Sequence, residues 1–160
     1  MKIGIYPGTF DPITNGHLDI IKRGSALFDK LYIVIPNNVQ KHTLFSVEER
    51  KQLLEIVLQS FLNIEVVTTN QLTVDFAKSV GACAMLRGLR MVSDFEYELQ
   101  MADTNKVLNP HIETIFMMAN TKYSFLSSSV VKEVLKFNGD ISRVVPLKVE
   151  TYLKKIKSKN

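Results

Sequence analysis

The sequence predicts an α/β fold: a doubly wound, Rossmann-like sheet of five parallel strands with helices on both faces and a helix at the C-terminus. Short apolar runs rich in β-formers alternate with longer helical patterns along all 160 residues. Strict alternation of this kind favours a parallel sheet joined by right-handed crossovers. The composition, 46% hydrophobic and 22% charged, is typical of a globular chain with a packed core. We therefore expect residues 1–160 to form a single domain.

The first half of the chain contains two predicted strand–helix pairs. Residues 3–6 form the first strand, which Pro7 and Gly8 end, and a helix over 17–28 follows. Residues 31–35 are a continuous apolar run, typical of a strand covered on both faces. Ser46 and Glu49 form a capping box that opens the second helix.

The second half continues the alternation to the end of the chain. The predicted strands are 64–67, 83–86 and 114–118, and the predicted helices are 74–80, 93–107, 127–137 and one that begins near Pro146. Cys83 is predicted to be a small buried hydrophobe inside the fourth strand.

Composition excludes several classes of protein. No apolar run is long enough to cross a bilayer, and one cysteine cannot form an internal disulfide, so we expect a cytoplasmic protein without a membrane segment. The net charge is +4, but much of the excess lies in the basic C-terminal tail. A basic stripe with interleaved aromatic residues is absent, so nucleic acid is not an expected partner.

In a doubly wound sheet the ligand lies beyond the carboxyl ends of the strands, and polar segments follow the predicted strands here. The loop after the first strand delivers His17 to a helix N-terminus, where backbone N–H groups and the helix dipole attract anions. Gly16 lets a phosphate approach the backbone. Without other signals, a merely structural turn explains this loop equally well.

Cations follow the second and fourth strands. Lys41 is either a phosphate counter-charge or a surface lysine. Arg87 and Arg90 bracket a glycine and form a fork suited to phosphate or carboxylate, although salt bridges to Asp94 or Glu96 would explain them as well.

Three serines, 127–129, open the helix after the fifth strand. An N-cap needs only one hydroxyl, so the run suggests a second anion cradle, to which Lys132 could add charge. Glu98 could bind a ribose hydroxyl. Asp94, Glu96 and Glu98 alternate along a helix and cannot share one face, which disfavours paired-carboxylate catalysis. Together these strand ends predict an enzyme that grips a polyphosphate.

Several motifs carry a family resemblance. Thr14-Asn15-Gly16-His17 resembles the H/T-x-G-H signature of nucleotidyltransferases that share their fold with class I aminoacyl-tRNA synthetases. More narrowly, the segments 6–17, 87–90, 94–98 and 127–133 resemble the bacterial phosphopantetheine adenylyltransferases, and the likeness spans nearly the whole chain. The chain departs from that family at Lys41-His42-Thr43, where two lysines and a proline are frequent, and at Leu126, where isoleucine is usual.

The resemblance implies an activity. Members of that family transfer AMP from ATP to 4'-phosphopantetheine and release dephospho-coenzyme A and pyrophosphate, the penultimate step of coenzyme A biosynthesis. It also implies direct in-line attack of the acceptor phosphate on the ATP α-phosphate. Mg²⁺ would accompany ATP and be held mainly by its phosphates, with no protein metal ligands. The family is typically a homohexamer. The resemblance leaves open whether coenzyme A acts as a feedback ligand.

The resemblance also implies roles for individual residues. The catalytic residues would be Thr9, His17, Lys41 and Arg90, with His17 stabilising the transition state. The acceptor would be bound by Thr9, Lys41, Thr73 and Arg87. ATP would be bound by Thr9, Phe10, His17, Gly88, Leu89, Arg90, Glu98, Tyr123, Ser124, Phe125, Leu126, Ser127, Ser128 and Ser129.

Two alternatives remain at this stage. A related enzyme could move CMP to glycerol phosphate or AMP to nicotinamide mononucleotide, although the motifs at 87–90 and 94–98 speak against both. A nucleotide-sensing or nucleic-acid-binding module could use the same cationic strand ends without catalysis.

Overall fold

The computed structural model describes residues 1–37 and 42–157. Within these ranges the chain forms five strands, six α-helices and a short 3₁₀ helix at Thr121–Tyr123. The strands are β1 (Ile3–Pro7), β2 (Lys30–Pro36), β3 (Ile64–Thr69), β4 (Ala84–Leu89) and β5 (Glu113–Met118). The helices are α1 (Asn15–Ser25), α2 (Val47–Leu58), α3 (Thr73–Ser79), α4 (Val92–Leu108), α5 (Ser128–Lys136) and α6 (Leu147–Lys157).

The strands form one parallel sheet in the order β3-β2-β1-β4-β5, which confirms the predicted fold class. Strand order reverses between β1 and β4, because the chain first winds outward through β2 and β3 and then returns to the other side of β1. The loops beyond β1 and β4 therefore diverge and leave a crevice at the carboxyl ends of these two strands.

Both faces of the sheet are covered, as the continuous apolar strands predict. Successive side chains of β1 lie on opposite faces of the sheet. Tyr6 belongs to a cluster with residues of α1, α2, α5 and α6, whereas its neighbour Ile5 belongs to a cluster with residues of α3. Helix α4 lies along β4 and β5 and contributes an edge-to-face contact between Phe95 and Phe116, with ring centroids 5.6 Å apart. The period of two along each strand thus divides the core into two layers.

The fourth strand differs from its predicted position. It begins at Ala84 rather than Cys83 and extends to Leu89, because parallel pairing with β5 continues through Leu89 and Met118. Arg87 and Gly88 consequently lie within the strand, near its carboxyl end, and not in a loop after it. The prediction for Cys83 was wrong, since its side chain is exposed just before the strand.

Helix boundaries differ by a few residues at several ends. Helix α1 begins at Asn15 and ends at Ser25, short of the predicted Phe28, whose ring instead packs over Gly4 in β1. The capping box at Ser46 is confirmed: the Ser46 hydroxyl accepts from the Glu49 N–H at 3.1 Å, and the Glu49 carboxylate accepts from the Ser46 N–H at 2.8 Å. Among the described residues, no helix is both long and apolar enough to cross a membrane.

The close approach of α1 to the sheet depends on Gly24. This residue is buried, and a Cβ at its position would overlap the side chain of Leu86 in β4, which is fully buried. We expect Gly24→Ala to lower the free energy of unfolding by about 1–3 kcal/mol, because an extra methyl in a filled core forces its neighbours to move. Urea denaturation measures the change. The exposed Lys22→Ala on the same helix is the control, and an unchanged free energy of unfolding in Gly24→Ala would contradict the packing argument.

Candidate active site

The loop after β1 is held in a restricted conformation. Phe10 has a positive φ of 48°, its side chain is buried, and its ring packs edge-on against Tyr6 and His17, with centroids 5.5 and 5.1 Å away. A Cβ on Gly8 would lie 2.7 Å from the Phe10 ring, so a glycine is needed there. The Gly8 N–H donates to the Val34 carbonyl at 3.0 Å and anchors the loop to β2.

Thr14 and His17 form a capping box at the start of α1. The Thr14 hydroxyl accepts from the His17 backbone N–H at 3.3 Å, and His17 Nδ1 accepts from the Thr14 backbone N–H at 3.1 Å. The Thr14 Oγ1 also lies 3.0 Å from that Nδ1. In most capping boxes a Glu or Gln makes the reciprocal bond; here an imidazole makes it, and this fixes the ring at the helix N-terminus.

The protonation state of His17 follows from these contacts. A backbone N–H can only donate, so Nδ1 must be the accepting nitrogen and Nε2 carries the proton of the neutral ring. Burial lowers the pKa of His17 to about 4, and the positive charge of Arg90 acts in the same direction. Near neutral pH the ring is therefore uncharged, with one N–H available to donate from Nε2.

Arg87 makes a bidentate pair with Glu98 of α4. Its Nε and Nη2 each donate to one carboxylate oxygen at 2.6 Å, and its Nη1 donates to the Pro7 carbonyl at 2.9 Å. Burial acts to lower the pKa of Arg87, but the hydrogen bonds and charge of Glu98 outweigh burial and raise it. The guanidinium thus remains charged while its plane is fixed between the end of β1 and α4.

Arg90 is held in a similar way by Asp94. The carboxylate accepts from the Arg90 Nε at 3.1 Å and from its Nη2 at 3.2 Å, while Nη1 donates to the Leu126 carbonyl at 3.3 Å. Burial would raise the pKa of Asp94, but hydrogen bonds from Arg90 lower it. The salt bridge between Arg90 and Asp94 that the sequence left open as an alternative is therefore present. Arg87, in contrast, pairs with Glu98.

The three serines at the start of α5 have different contacts. Ser127 is the N-cap, and its hydroxyl accepts from the Val130 N–H at 3.1 Å. The Ser128 hydroxyl donates to the Pro12 carbonyl at 2.9 Å, which ties α5 to the loop after β1. Ser129 lines a cavity at the carboxyl ends of β1 and β4. Lys132, predicted as an extra charge for the cradle, lines this cavity too and is paired with Asp11 at 3.0 Å.

Most of the predicted site residues meet around one cavity of about 450 Å³ at the carboxyl ends of β1 and β4. Its lining includes Thr9, Phe10, His17, Thr73, Arg87, Gly88, Arg90, Glu98, Tyr123, Leu126, Ser127, Ser128 and Ser129. Leu89, Ser124 and Phe125 are not part of this lining: Leu89 is buried in β4, and Phe125 is mostly exposed. Lys41 lies outside the described residues.

A second, mainly apolar cavity of about 230 Å³ adjoins the first. The two share Pro7, Thr73, Arg87 and Glu98. The remainder of the second cavity lies between α3 and α4, with Met85, Tyr97, Met101 and Leu108 among its walls. The polar cavity therefore lies next to a smaller apolar one, and Arg87 is among the residues that separate and line both.

The residues offer little to a metal ion. Within the part of the chain that the structure describes, no three His, Cys, Asp or Glu side chains come together as a metal site. The cavity carboxylates Asp11 and Glu98 are each paired with a cation.

Sequence reasoning did not identify the groups that position these residues. The sequence motif includes Thr14 but does not by itself predict the reciprocal bond with His17; the signal for that bond is the three-residue spacing of a capping box. Asp11 and Arg50 are almost fully buried polar residues that hold the loop after β1, and nothing in the local sequence distinguishes them from surface residues.

Comparison with known proteins agrees with this geometry. The cytidylyltransferase-like family model matches residues 5–134. The phosphopantetheine adenylyltransferase of Alkaliphilus metalliredigens (strain QYMF) is 53% identical over 146 residues, which cover 91% of this chain and 93% of that protein. A crystal structure from Vibrio parahaemolyticus, provisionally named a nicotinate-nucleotide adenylyltransferase, matches with a TM-score of 0.72 at 17% identity and covers 96% of this chain and 99% of that one. The last comparison shows the fold alone.

The lowered pKa of His17 predicts a specific pH dependence of stability. Between about pH 6.5 and 4, the unfolded chain binds a proton that the folded chain excludes, so protonation favours unfolding as the pH falls through this window. We expect the free energy of unfolding to decrease more steeply with falling pH in the wild type than in His17→Gln, whose amide does not titrate. Urea denaturation at several pH values measures both slopes, and equal slopes would show that His17 is not held neutral.

Proposed function

Because the chain belongs to the phosphopantetheine adenylyltransferases of the cytidylyltransferase-like family, we propose that it transfers AMP from ATP to 4'-phosphopantetheine. The products are dephospho-coenzyme A and pyrophosphate, and the reaction is the penultimate step of coenzyme A biosynthesis. One structural observation carries the proposal: a polar cavity at two helix N-termini joins an apolar cavity at Arg87. The first suits a triphosphate, and the second suits an uncharged pantetheine arm.

The chemistry needs alignment more than acid–base catalysis. An oxygen of the acceptor phosphate attacks the α-phosphorus of ATP, a new P–O bond forms, and the bond to the β-phosphate breaks as pyrophosphate leaves. The acceptor phosphate is already ionised near neutral pH, so no general base is required. Holding two reactants in line can supply about 7–11 kcal/mol of the barrier. The enzyme must also oppose the repulsion between two anions.

His17 is the proposed donor to the α-phosphate. Its neutral ring presents the Nε2 N–H, and the bond from Thr14 to Nδ1 prevents the other tautomer. Thr9 and Arg90 line the same cavity and would contact the phosphates beside it. A fixed N–H donor stabilises the charge that develops on the α-phosphate oxygens in the transition state without any reorganisation. The N-terminus of α5, with Ser127–Ser129, would receive the rest of the triphosphate.

Arg87 is the proposed anchor for the acceptor phosphate, together with Lys41. A guanidinium has five N–H donors. In the described residues, three of those of Arg87 are directed at Glu98 and Pro7, which leaves two for a phosphate. Its position where the two cavities join would place the phosphate next to ATP and the pantetheine arm along α4, past Thr73. Coenzyme A carries the same arm, so it would compete for the apolar cavity as a feedback ligand.

ATP would enter as its Mg²⁺ complex. The charge of this substrate-borne ion offsets the charge of the triphosphate. This agrees with the cavity carboxylates Asp11 and Glu98, which are occupied by Lys132 and Arg87 and are therefore poorly placed to be metal ligands.

We also infer a homo-oligomer, with the hexamer typical of the family. Helix α4 buries none of its 17 residues within the chain, and its large apolar side chains are exposed. Those outside the apolar cavity are Val92, Phe95, Leu99 and Val107, whereas Tyr97, Met101 and Leu108 are partly exposed along the cavity itself. Apolar surface of this extent on one helix suits contact with further copies of the chain.

The domain organisation and the cellular location are part of the same proposal. Residues 1–160 act as one nucleotidyltransferase domain, since a single sheet carries both apolar clusters. An exposed free thiol at Cys83 suits a reducing compartment, so the cytoplasm is the proposed location.

The direct test is pyrophosphate release from Mg·ATP and 4'-phosphopantetheine. We expect release to require both compounds, and to fail with CTP or with pantetheine that lacks its phosphate. Dephospho-coenzyme A, detected by mass, should form in equal amount. Protein that binds ATP but releases no pyrophosphate would retain the fold and exclude this acceptor. Release with CTP would instead favour a cytidylyltransferase.

The role of His17 has a separate test. We expect His17→Ala to lower kcat by about 10²-fold or more with little change in ATP affinity, because the donor acts mainly in the transition state. Steady-state kinetics and equilibrium ATP titration measure the two quantities. The control is His111→Ala, an exposed histidine outside the cleft. Near-normal turnover of His17→Ala would rule out the assigned role.

A further inference from the structure

Asp11 is a buried carboxylate with three donors. Its side chain is 1% exposed. The Phe45 N–H donates to Oδ1 at 2.9 Å, and the Leu44 N–H donates to Oδ2, also at 2.9 Å. The Lys132 ammonium donates to the same Oδ2 at 3.0 Å. Both carboxylate oxygens are therefore satisfied from inside the protein, which a charge removed from water requires.

These donors come from separate parts of the chain that meet at the cleft. Leu44 and Phe45 precede α2 and follow, by a few residues, the segment that contains Lys41. Lys132 lies in α5, one turn beyond the serines that line the polar cavity. Asp11 itself lies two residues after Thr9. One carboxylate therefore joins the loop after β1 to the segment between β2 and α2 and to the start of α5.

Arg50 and Ser128 complete this connection from the two sides. Arg50, 4% exposed, donates from Nη1 to the Thr9 carbonyl at 2.8 Å and from Nε to the Phe45 carbonyl at 3.2 Å. Ser128 donates to the Pro12 carbonyl at 2.9 Å. The strained Phe10, whose ring contacts His17, lies between these fixed points. The loop that carries Thr9 thus has little freedom to shift relative to α5 or α2.

We propose that Asp11 is a positioning residue that holds the acceptor side and the nucleotide side of the cleft in register for AMP transfer. The proposal rests on the proposed function, in which Lys41 acts on the acceptor and the start of α5 acts on ATP. Asp11 contacts neither substrate in this scheme. It acts through the backbone at Leu44 and Phe45 and through Lys132.

The charge of Asp11 is essential to this role because all three partners are donors. An asparagine has nearly the same shape but offers only one acceptor oxygen. If its NH₂ replaced Oδ1, it would face the N–H of Phe45; if it replaced Oδ2, it would face the N–H of Leu44 and the ammonium of Lys132. Either orientation sets donor against donor in a buried site, so at least one of the three segments must move.

The test compares Asp11→Asn with the wild type. We expect kcat to fall by about 10–100-fold, since a displacement of about 1 Å in an aligned site can cost about 10²-fold. The dissociation constant for Mg·ATP, titrated without acceptor, should stay within about threefold, with one ATP bound per chain as in the wild type. If the substitution instead unfolded part of the sample, the number of ATP molecules bound per chain would fall by the same factor as kcat. The amide NMR signals of Leu44 and Phe45 should shift in the variant.

Lys132→Met and the double variant test the connection to α5. Lys132→Met should lower kcat less than Asp11→Asn, because both backbone donors remain. The double variant should be no slower than Asp11→Asn, since the two changes disrupt one interaction. If the fold losses in kcat of the two single variants multiply in the double variant, Lys132 acts independently of Asp11, and that part of the proposal is overturned.

Glu55→Gln is the control, a carboxylate-to-amide change in an exposed ion pair with Lys51 on α2. It should leave kcat unchanged.

Wild-type turnover is measured first in the same assay. An inactive wild type contradicts the proposed function and the role of Asp11 together. An active wild type with normal kcat in Asp11→Asn, or with ATP sites lost in proportion to kcat, overturns the role of Asp11 alone.

Discussion

The reversal of strand order between β1 and β4 is the constraint on which the rest of the structure depends. These neighbours are paired at Gly4–Ala84 and Ile5–Met85, but their following loops leave in opposite directions. The opening between the loops receives the N-termini of α1 and α5 and the N-terminal half of α4. Backbone N–H groups, hydroxyls and guanidinium groups from segments far apart in the sequence are thereby brought together.

The charges of the crevice are arranged before any substrate binds. Among the described residues, Arg87, Arg90 and Lys132 are each paired with a carboxylate, from Glu98, Asp94 and Asp11 respectively. Paired cations keep a fixed orientation and avoid the mutual repulsion that unpaired cations would have in a partly buried cleft. His17 is held neutral because its burial and the nearby positive charge of Arg90 both lower its pKa. The site therefore offers directed N–H donors, which suit the alignment of two phosphates better than loosely held charge.

Helix α4 connects this chemistry to the outer surface of the chain. Its inner side supplies Asp94 and Glu98 to the arginines and contributes to the apolar cavity, while its apolar outer side chains are exposed. No residue of α4 is fully buried, so within the chain the helix is held by partial packing on β4 and β5 and by its two ion pairs. The ion pairs with Glu98 and Asp94 therefore tie the positions of Arg87 and Arg90 to the position of this helix.

The sequence alone determined the fold class and predicted most of the residues that line the cavity. Alternation of apolar runs with helical patterns is a local property, because it reflects periods of 2 and 3.6 that the covered faces of strands and helices require. It therefore placed every strand and helix within a few residues. The positions of the serines, His17, Arg87 and Arg90 near strand ends followed from that alternation, and the family motifs assigned their roles.

Only the tertiary structure decided how those residues are held. The extension of β4 through Arg87 depends on pairing with β5, and the exposure of Cys83 depends on where that pairing begins. The partners of Asp11 lie 33, 34 and 121 positions away along the chain, and Arg87 of β4 meets Glu98 of the helix packed beside that strand. A buried carboxylate and a surface carboxylate have the same letter in a sequence. The difference between them is set by which donors the fold brings within hydrogen-bond distance, and no local pattern records it.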